Sequence, residues 1–137
     1  MRRLHYYASA MPIERFQPDS LPKSTLYSPV VRTGSVIYVA GQVAQDDHGE
    51  IVGRGDFRAQ ADQVMANLQQ ALAAAGAGLE HLVRITIYLT DARYRDIMRE
   101  VTRDYLGAAL PASTLLVVSA LARPECLLEI DAMAVLD

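Results

Sequence analysis

Tryptophan is absent, cysteine occurs once, phenylalanine twice and histidine three times in this chain of 137 residues. A single cysteine, Cys126, excludes an internal disulfide framework and fits a reducing, cytoplasmic setting. His5, His48 and His81 are scattered, and no H-x-x-x-H or C-x-x-C spacing occurs, so the pattern gives no metal site. Gly41-Gln42 has no G-x-G-x-x-G or phosphate-loop context, so no cofactor is indicated. No apolar run approaches the ~18–20 residues needed to span a membrane. Arg2 and Arg3 are followed by no apolar segment, which argues against a signal peptide. Neither charge dominates: 13 basic residues face 16 acidic ones, for a net charge of −3. That balance excludes a broad basic face and argues against nucleic acid as a partner. There is no internal repeat.

What remains is a globular composition, 51% hydrophobic and 21% charged. The length suits one domain. Pro12, Pro18 and Pro22 break up residues 1–24, which read as an irregular arm ahead of a domain at 25–137. Residues 25–33 read as a strand interrupted at Pro29. Val36–Ala40 is a β-branched, aromatic run and reads as a buried strand. Asp46 to Glu50 is a turn cluster, from which Ile51-Val52 returns.

Asp56 is a good N-cap, and Phe57, Ala61, Val64, Leu68, Ala71, Leu72 and Ala75 follow at helical spacing up to Gly76. The pattern predicts a helix over 57–75, with Arg58, Gln60, Asp62, Gln63, Asn67 and Gln70 on its opposite, polar face. Residues 82–89 alternate as a strand, with Val83, Ile85, Ile87 and Leu89 on one side and Arg84, Thr86 and Tyr88 on the other. Thr90 or Asp91 caps a second helix with a stripe of Tyr94, Ile97, Met98, Val101, Tyr105 and Leu106, ended by Gly107. Residues 114–121 and 126–135 read as strands. In the last, Leu128, Ile130, Ala132 and Ala134 face away from Glu129, Asp131 and Met133.

This order predicts an α+β fold, a mixed sheet with both helices on one face. The other face carries Tyr38, Tyr88, Leu116 and Val118. A half-apolar open face predicts an oligomer.

Leu26-Tyr27-Ser28-Pro29-Val30-Val31, Gly34 and Tyr38-Val39-Ala40-Gly41-Gln42 resemble the opening of the RidA/YjgF family, also known as endoribonuclease L-PSP. Gln60, Asn67-Leu68 and Ala74-Ala75-Gly76 resemble its first helix, and residues 83–91 its following strand. Pro111-Ala112-Ser113-Thr114 and Leu128-Glu129-Ile130-Asp131-Ala132 resemble its C-terminal signature. The resemblance spans residues 25 to 135 and implies a chorismate-mutase-like fold and a barrel-like homotrimer with clefts between subunits. It further implies hydrolysis of reactive enamines and imines to ketones and ammonia.

In the family's deaminases an arginine in Pro-Ala-Arg-Ser holds the substrate carboxylate. Ser113 stands at that position here, and a hydroxyl does not replace a bidentate guanidinium. The resemblance therefore points to a deaminase other than the archetypal 2-aminoacrylate type. It implies Glu129 as the catalytic carboxylate. Ser113, Thr114 and Leu115, by hydroxyls and backbone N–H groups, and Tyr27 and Tyr88, as walls, are the implied substrate contacts.

Each assignment has an ordinary competitor. Glu129 also reads as a solvated strand residue. Ser113 and Thr114 read as turn caps, Tyr27 as a packed edge tyrosine, and Tyr88 as filler at the trimer centre. Arg32 and Arg123 are the flanking cations that would substitute for the missing arginine, although a solvated arginine is the commoner fate. Cys126 reads as a small buried hydrophobe. Two further functions compete with the deaminase: a non-catalytic, metabolite-binding regulatory trimer, and a ribonuclease or translation inhibitor.

Overall fold

The computed structural model describes residues 11–137. The first ten residues of the expected arm, with His5, lie outside the described residues. Six strands form one sheet: β1 (Ile13–Phe16), β2 (Val30–Thr33), β3 (Val36–Gln42), β4 (Leu82–Leu89), β5 (Ala112–Val117) and β6 (Leu128–Val135). Their spatial order is β1-β2-β3-β6-β4-β5. Only β4 and β5 pair in parallel, and every other pair is antiparallel. Two helices, α1 (Phe57–Ala74) and α2 (Arg95–Leu106), complete the α+β fold.

Helix α1 begins where the Asp56 carboxylate accepts the Ala59 N–H at 3.0 Å. It ends at Ala74, with Ala75 as its C-cap and Gly76 following at φ +84°, a backbone that favours glycine. Asp91 caps a single 3₁₀ turn, Ala92–Tyr94, that leads into α2. The buried sides of both helices share one core with Ile37 and Val39 of β3, Ile85, Ile87 and Leu89 of β4, and Leu128, Ile130 and Ala134 of β6. Burying each large aliphatic side chain here contributes about 1.5–3 kcal/mol.

The structure departs from the sequence expectations at defined points. Residues 13–16, expected in an irregular arm, form a strand because β2 offers them a free edge, with Arg15 opposite Val31. β2 begins only at Val30, since Pro29 has no N–H to donate and serves only as acceptor, its carbonyl taking the Ala40 N–H at 2.9 Å. β5 starts two residues earlier than expected and stops at Val117, and β6 starts at Leu128 rather than Cys126. Val83 is the extra residue of a bulge, since Leu82 pairs with Ala134 and Arg84 with Met133. It is therefore 41% exposed, and Leu82 takes its expected place in the core.

The largest correction concerns α1. Gln60 and Asn67, expected on the polar face opposite the apolar stripe, are buried to 0% and 3% exposure. Buried amides persist only when their hydrogen bonds are made, and these two bond to the loops that carry the candidate site. Among the described residues no helix is long and apolar enough to cross a membrane.

Candidate active site

The alternation of β6 sends Leu128 and Ile130 into the core and leaves Glu129 and Asp131 half-buried on the open face. Tyr88 of β4 stands directly opposite Glu129 in the register. Its hydroxyl donates to Asp131 Oδ2 at 2.9 Å, and this bond, with burial, holds the phenol proton more firmly than usual. Burial pushes the Glu129 carboxyl above its ordinary pKa, and the Asp131 charge adds to the shift.

Glu129 has room because of a second irregularity. β3 bulges between Val39 and Gln42, which pair with Ala132 and Ile130, so three steps on β3 match two on β6. Gly41 lies in this bulge against the Glu129 side chain. A Cβ placed on Gly41 would come within 2.9 Å of Glu129 Cδ and 3.2 Å of Cγ. Only a residue without a side chain lets the carboxylate occupy this place.

Glu129 and Gly41 line a cavity of about 180 Å³ together with Tyr27, Val43, Gln45, Ala122, Arg123 and Cys126. Two of its walls are irregular segments tied down by α1. Asn67 Nδ2 donates to the carbonyls of Val43 and Gln45 at 3.0 and 2.8 Å. Gln60 Nε2 donates to the carbonyls of Glu125 and Gly53 at 2.9 and 3.2 Å, and Gln60 Oε1 accepts the Leu127 N–H at 2.9 Å. Tyr27 stands 56% exposed at the cavity, its carbonyl accepting from Gln17 Nε2 at 2.9 Å. Arg123 is fixed by Nη1 donating to the Gly49 carbonyl at 2.6 Å. The Asp46–Glu50 turn presents that carbonyl, with Gly49 at φ +82°. Cys126 is buried, and burial pushes its thiol up despite the nearby Arg123 charge.

The remaining expected site residues lie elsewhere in the chain. Ser113 and Leu115 pair with Ile85 and Ile87 and share their helix-side orientation. They line a separate cavity of about 320 Å³ with Met98 and Thr102 of α2. Thr114 faces the open side, and its hydroxyl accepts from Arg84 Nη2 at 2.7 Å. Tyr88 adjoins Glu129 on the sheet but does not line the smaller cavity. Arg32 donates to the carbonyls of Gly34 and Ala75 at 3.0 and 2.9 Å and so caps α1, away from the cavity. His48 is exposed, and His81 Nδ1 accepts the Gly78 N–H at 3.0 Å. No three His, Cys, Asp or Glu side chains come together as metal ligands among the described residues.

One chain therefore gathers Glu129, Tyr27 and Arg123 in one cavity and sets Ser113 and Thr114 on the edge strand β5. Sequence reasoning left out Gly41 as the space-maker for Glu129. It also left out Gln60 and Asn67 as anchors. Their place in the family-like first helix was the available signal.

The family model for endoribonuclease L-PSP matches residues 18–136. A RutC family protein of Pyrococcus abyssi is 38% identical over 109 residues, 79% of this chain and 84% of its own. The 2-iminobutanoate/2-iminopropanoate deaminase of Mus musculus is 33% identical over 109 residues, 80% of each chain. The crystal structure of RidA from an Antarctic Psychrobacter superposes with a TM-score of 0.83 at 30% identity, covering 90% of this chain and 99% of that one. With nearly the whole described chain matched in sequence and in fold, the protein belongs to the endoribonuclease L-PSP family, the family of RidA and YjgF.

Proposed function

We propose that the protein is a hydrolytic deaminase of a reactive imine or its enamine tautomer, acting in the cytoplasm as a homotrimer. The observation that carries the reading is Glu129, a half-buried carboxylate of raised pKa held against Gly41 in a small cavity. The deaminase name of the mouse relative supports it.

The chemistry needs one group that moves protons in both directions near neutral pH. Water attacks the imine carbon and its proton passes to the Glu129 carboxylate. The new C–O bond and the former C=N bond then share a tetrahedral carbinolamine. Glu129 returns the proton to nitrogen, then takes the proton of the new hydroxyl and passes it to the same nitrogen, so that the C–N bond breaks and ammonia leaves as the carbonyl forms. Nothing is oxidised or reduced, so water and a carboxylate suffice and no cofactor is assigned. A raised pKa suits this role, because Glu129 becomes a stronger base and its acid form a more accessible donor. In the trimer, the open sheet face with Tyr38 and Leu116, 47% and 45% exposed, is covered by neighbours. The β5 edge of one subunit, with Ser113, Thr114 and Leu115, then completes the cleft that Glu129 and Tyr27 begin on the next, with Tyr88 beside it.

An imine-quenching assay tests the reading. Amino-acid oxidase generates imines from a panel of amino acids while semicarbazide competes for them. The wild type is expected to suppress semicarbazone formation for some side chains, and Glu129→Ala to lose ~10²–10⁴-fold of that activity. Equal suppression by both proteins, or by neither, overturns the assignment.

A further inference from the structure

Residues 17–27, which follow β1, close on themselves. The side-chain amide of Gln17 is turned to the far end of this segment. Its Nε2 donates to the carbonyls of Ser24 and Tyr27 at 3.1 and 2.9 Å, and its Oε1 accepts the Ser24 N–H at 3.1 Å. Inside the loop, the Leu21 N–H donates to the Pro18 carbonyl at 3.1 Å. Lys23 Nζ donates to the Gln17 carbonyl and, at 2.8 Å, to Asp19 Oδ1. Ser24 Oγ accepts the Leu26 N–H at 3.1 Å. A compact surface loop whose ends meet and whose own side chains pack it is an Ω-loop, a form that frequently carries function. Pro18 and Pro22 restrict its backbone further.

This loop carries one wall of the Glu129 cavity, the Tyr27 ring. The ring is 56% exposed, and its hydroxyl makes no hydrogen bond among the described residues, so its own contacts do little to fix it. Leu26 beside it is exposed as well. Leu21 is the one buried residue of 17–27 and joins the core. The place of Tyr27 is therefore set through its backbone, and the Gln17 amide bonds to the Tyr27 carbonyl itself. Gln17 does not line the cavity, so it acts on a bound molecule only through Tyr27. Each of its three bonds contributes little in water. All three belong to one planar group, so they form or fail together.

We infer that Gln17 is a positioning residue of the candidate active site: its amide clasps the loop shut and holds Tyr27 as a ready-made wall of the Glu129 cavity. The inference rests on the deaminase reading only for the molecule that meets the wall. Without the clasp the loop visits several arrangements, and only the fraction with Tyr27 in place binds substrate. Apparent affinity falls by that fraction. Once substrate is bound, proton transfer at Glu129 proceeds as before. Gln17 therefore acts on KM and not on kcat.

The test crosses Gln17→Ala with Tyr27→Ala, singly and together, and adds Gln17→Glu. KM and kcat are measured on 2-iminobutanoate, generated from 2-aminobutyrate by amino-acid oxidase. Gln17→Ala is expected to raise KM ~3–10-fold with little change in kcat. In the Tyr27→Ala background the same substitution should change KM less than about twofold, because the wall it positions is gone. Gln17→Glu keeps an acceptor for the Ser24 N–H but sets a carboxylate oxygen against two carbonyls, and should behave as Gln17→Ala. An unchanged KM for Gln17→Ala, or the same rise with and without the Tyr27 ring, overturns the inference.

Fluorine NMR of protein carrying fluorotyrosine reads the clasp with no substrate present. The Tyr27 signal is identified by its loss in Tyr27→Phe. In Gln17→Ala it is expected to shift or broaden while the signals of Tyr88 and Tyr105 hold, which also shows that the variant is folded. A wild type that hydrolyses no imine, with this change at Tyr27 present, sinks the deaminase reading and keeps the clasp. A Tyr27 signal identical in the two proteins sinks the clasp whatever the activity.

Discussion

Strand β6 shows two regimes of physical chemistry one residue apart. Leu128, Ile130 and Ala134 are at most 1% exposed and pack under the helices. Glu129 and Asp131, on the reverse of the same backbone, are half-buried carboxylates close enough for the Asp131 charge to push Glu129 up. On the helix side every contact lowers the free energy of the fold. On the open side two like charges are kept near one another, at a cost to stability, with the hydroxyl of Tyr88 bonded to one and the space beside Gly41 occupied by the other. Costly electrostatics on a rigid scaffold is the ordinary mark of a functional site. Here the pleat of one strand separates it from the core.

Three substitutions break or sharpen this contrast. The largest effect on folding belongs to the helix side: Leu128→Ala is expected to cost about 2–5 kcal/mol in denaturant unfolding. A cost below 1 kcal/mol would mean that the core side is no more demanding than the open side. Gln60→Ala links the sides, because it strips partners from the Leu127 N–H and from the Glu125 and Gly53 carbonyls. About 1–3 kcal/mol of stability should go, and KM for the imine should rise with it, since the same amide holds the Arg123 loop. An unchanged KM would uncouple anchor from site.

The smallest effect has the opposite sign. The Glu129 carboxyl has a raised pKa in the folded chain, so folding favours its protonated form. That contribution is present below the unfolded value, near 4.5, and is lost as pH rises through the folded value. Glu129→Gln stays neutral at every pH. Its melting temperature should match the wild type's in acid and exceed it at pH 7, while activity is lost. A variant less stable than the wild type at pH 7 would contradict the strained-site account.

The helices and the central strands β3, β4 and β6 were legible because each writes its own period into contiguous residues. Asp56, Gly76 and Gly107 marked ends that the structure keeps. β1 was not legible, since its partner Val30–Thr33 lies downstream and no local pattern reports a free edge. The Val83 bulge was hidden for a related reason: alternation continues through it in sequence while the register slips in space. Periodicity also misled at Gln60 and Asn67, which it placed on the polar face opposite the apolar stripe. The chain buries them because loop carbonyls and an N–H wait there. Among the residues that line the smaller cavity, Glu129 and Tyr27 were singled out through the family-like motifs. The place of Arg123 depends on how the loop before β6 folds back over the turn at Gly49, a contact across 74 positions that no local motif encodes.

Gly41 carries a consequence for how this sequence can drift. Every single-base change of a glycine codon that encodes a different amino acid adds a Cβ. At this position a Cβ meets the Glu129 side chain rather than the core. The first step away from glycine is therefore felt by the carboxylate before it is felt by the fold. If the proposed function holds, lineages that lose it should vary at residue 41 while keeping the helix-side core intact, and those that keep it should hold glycine there.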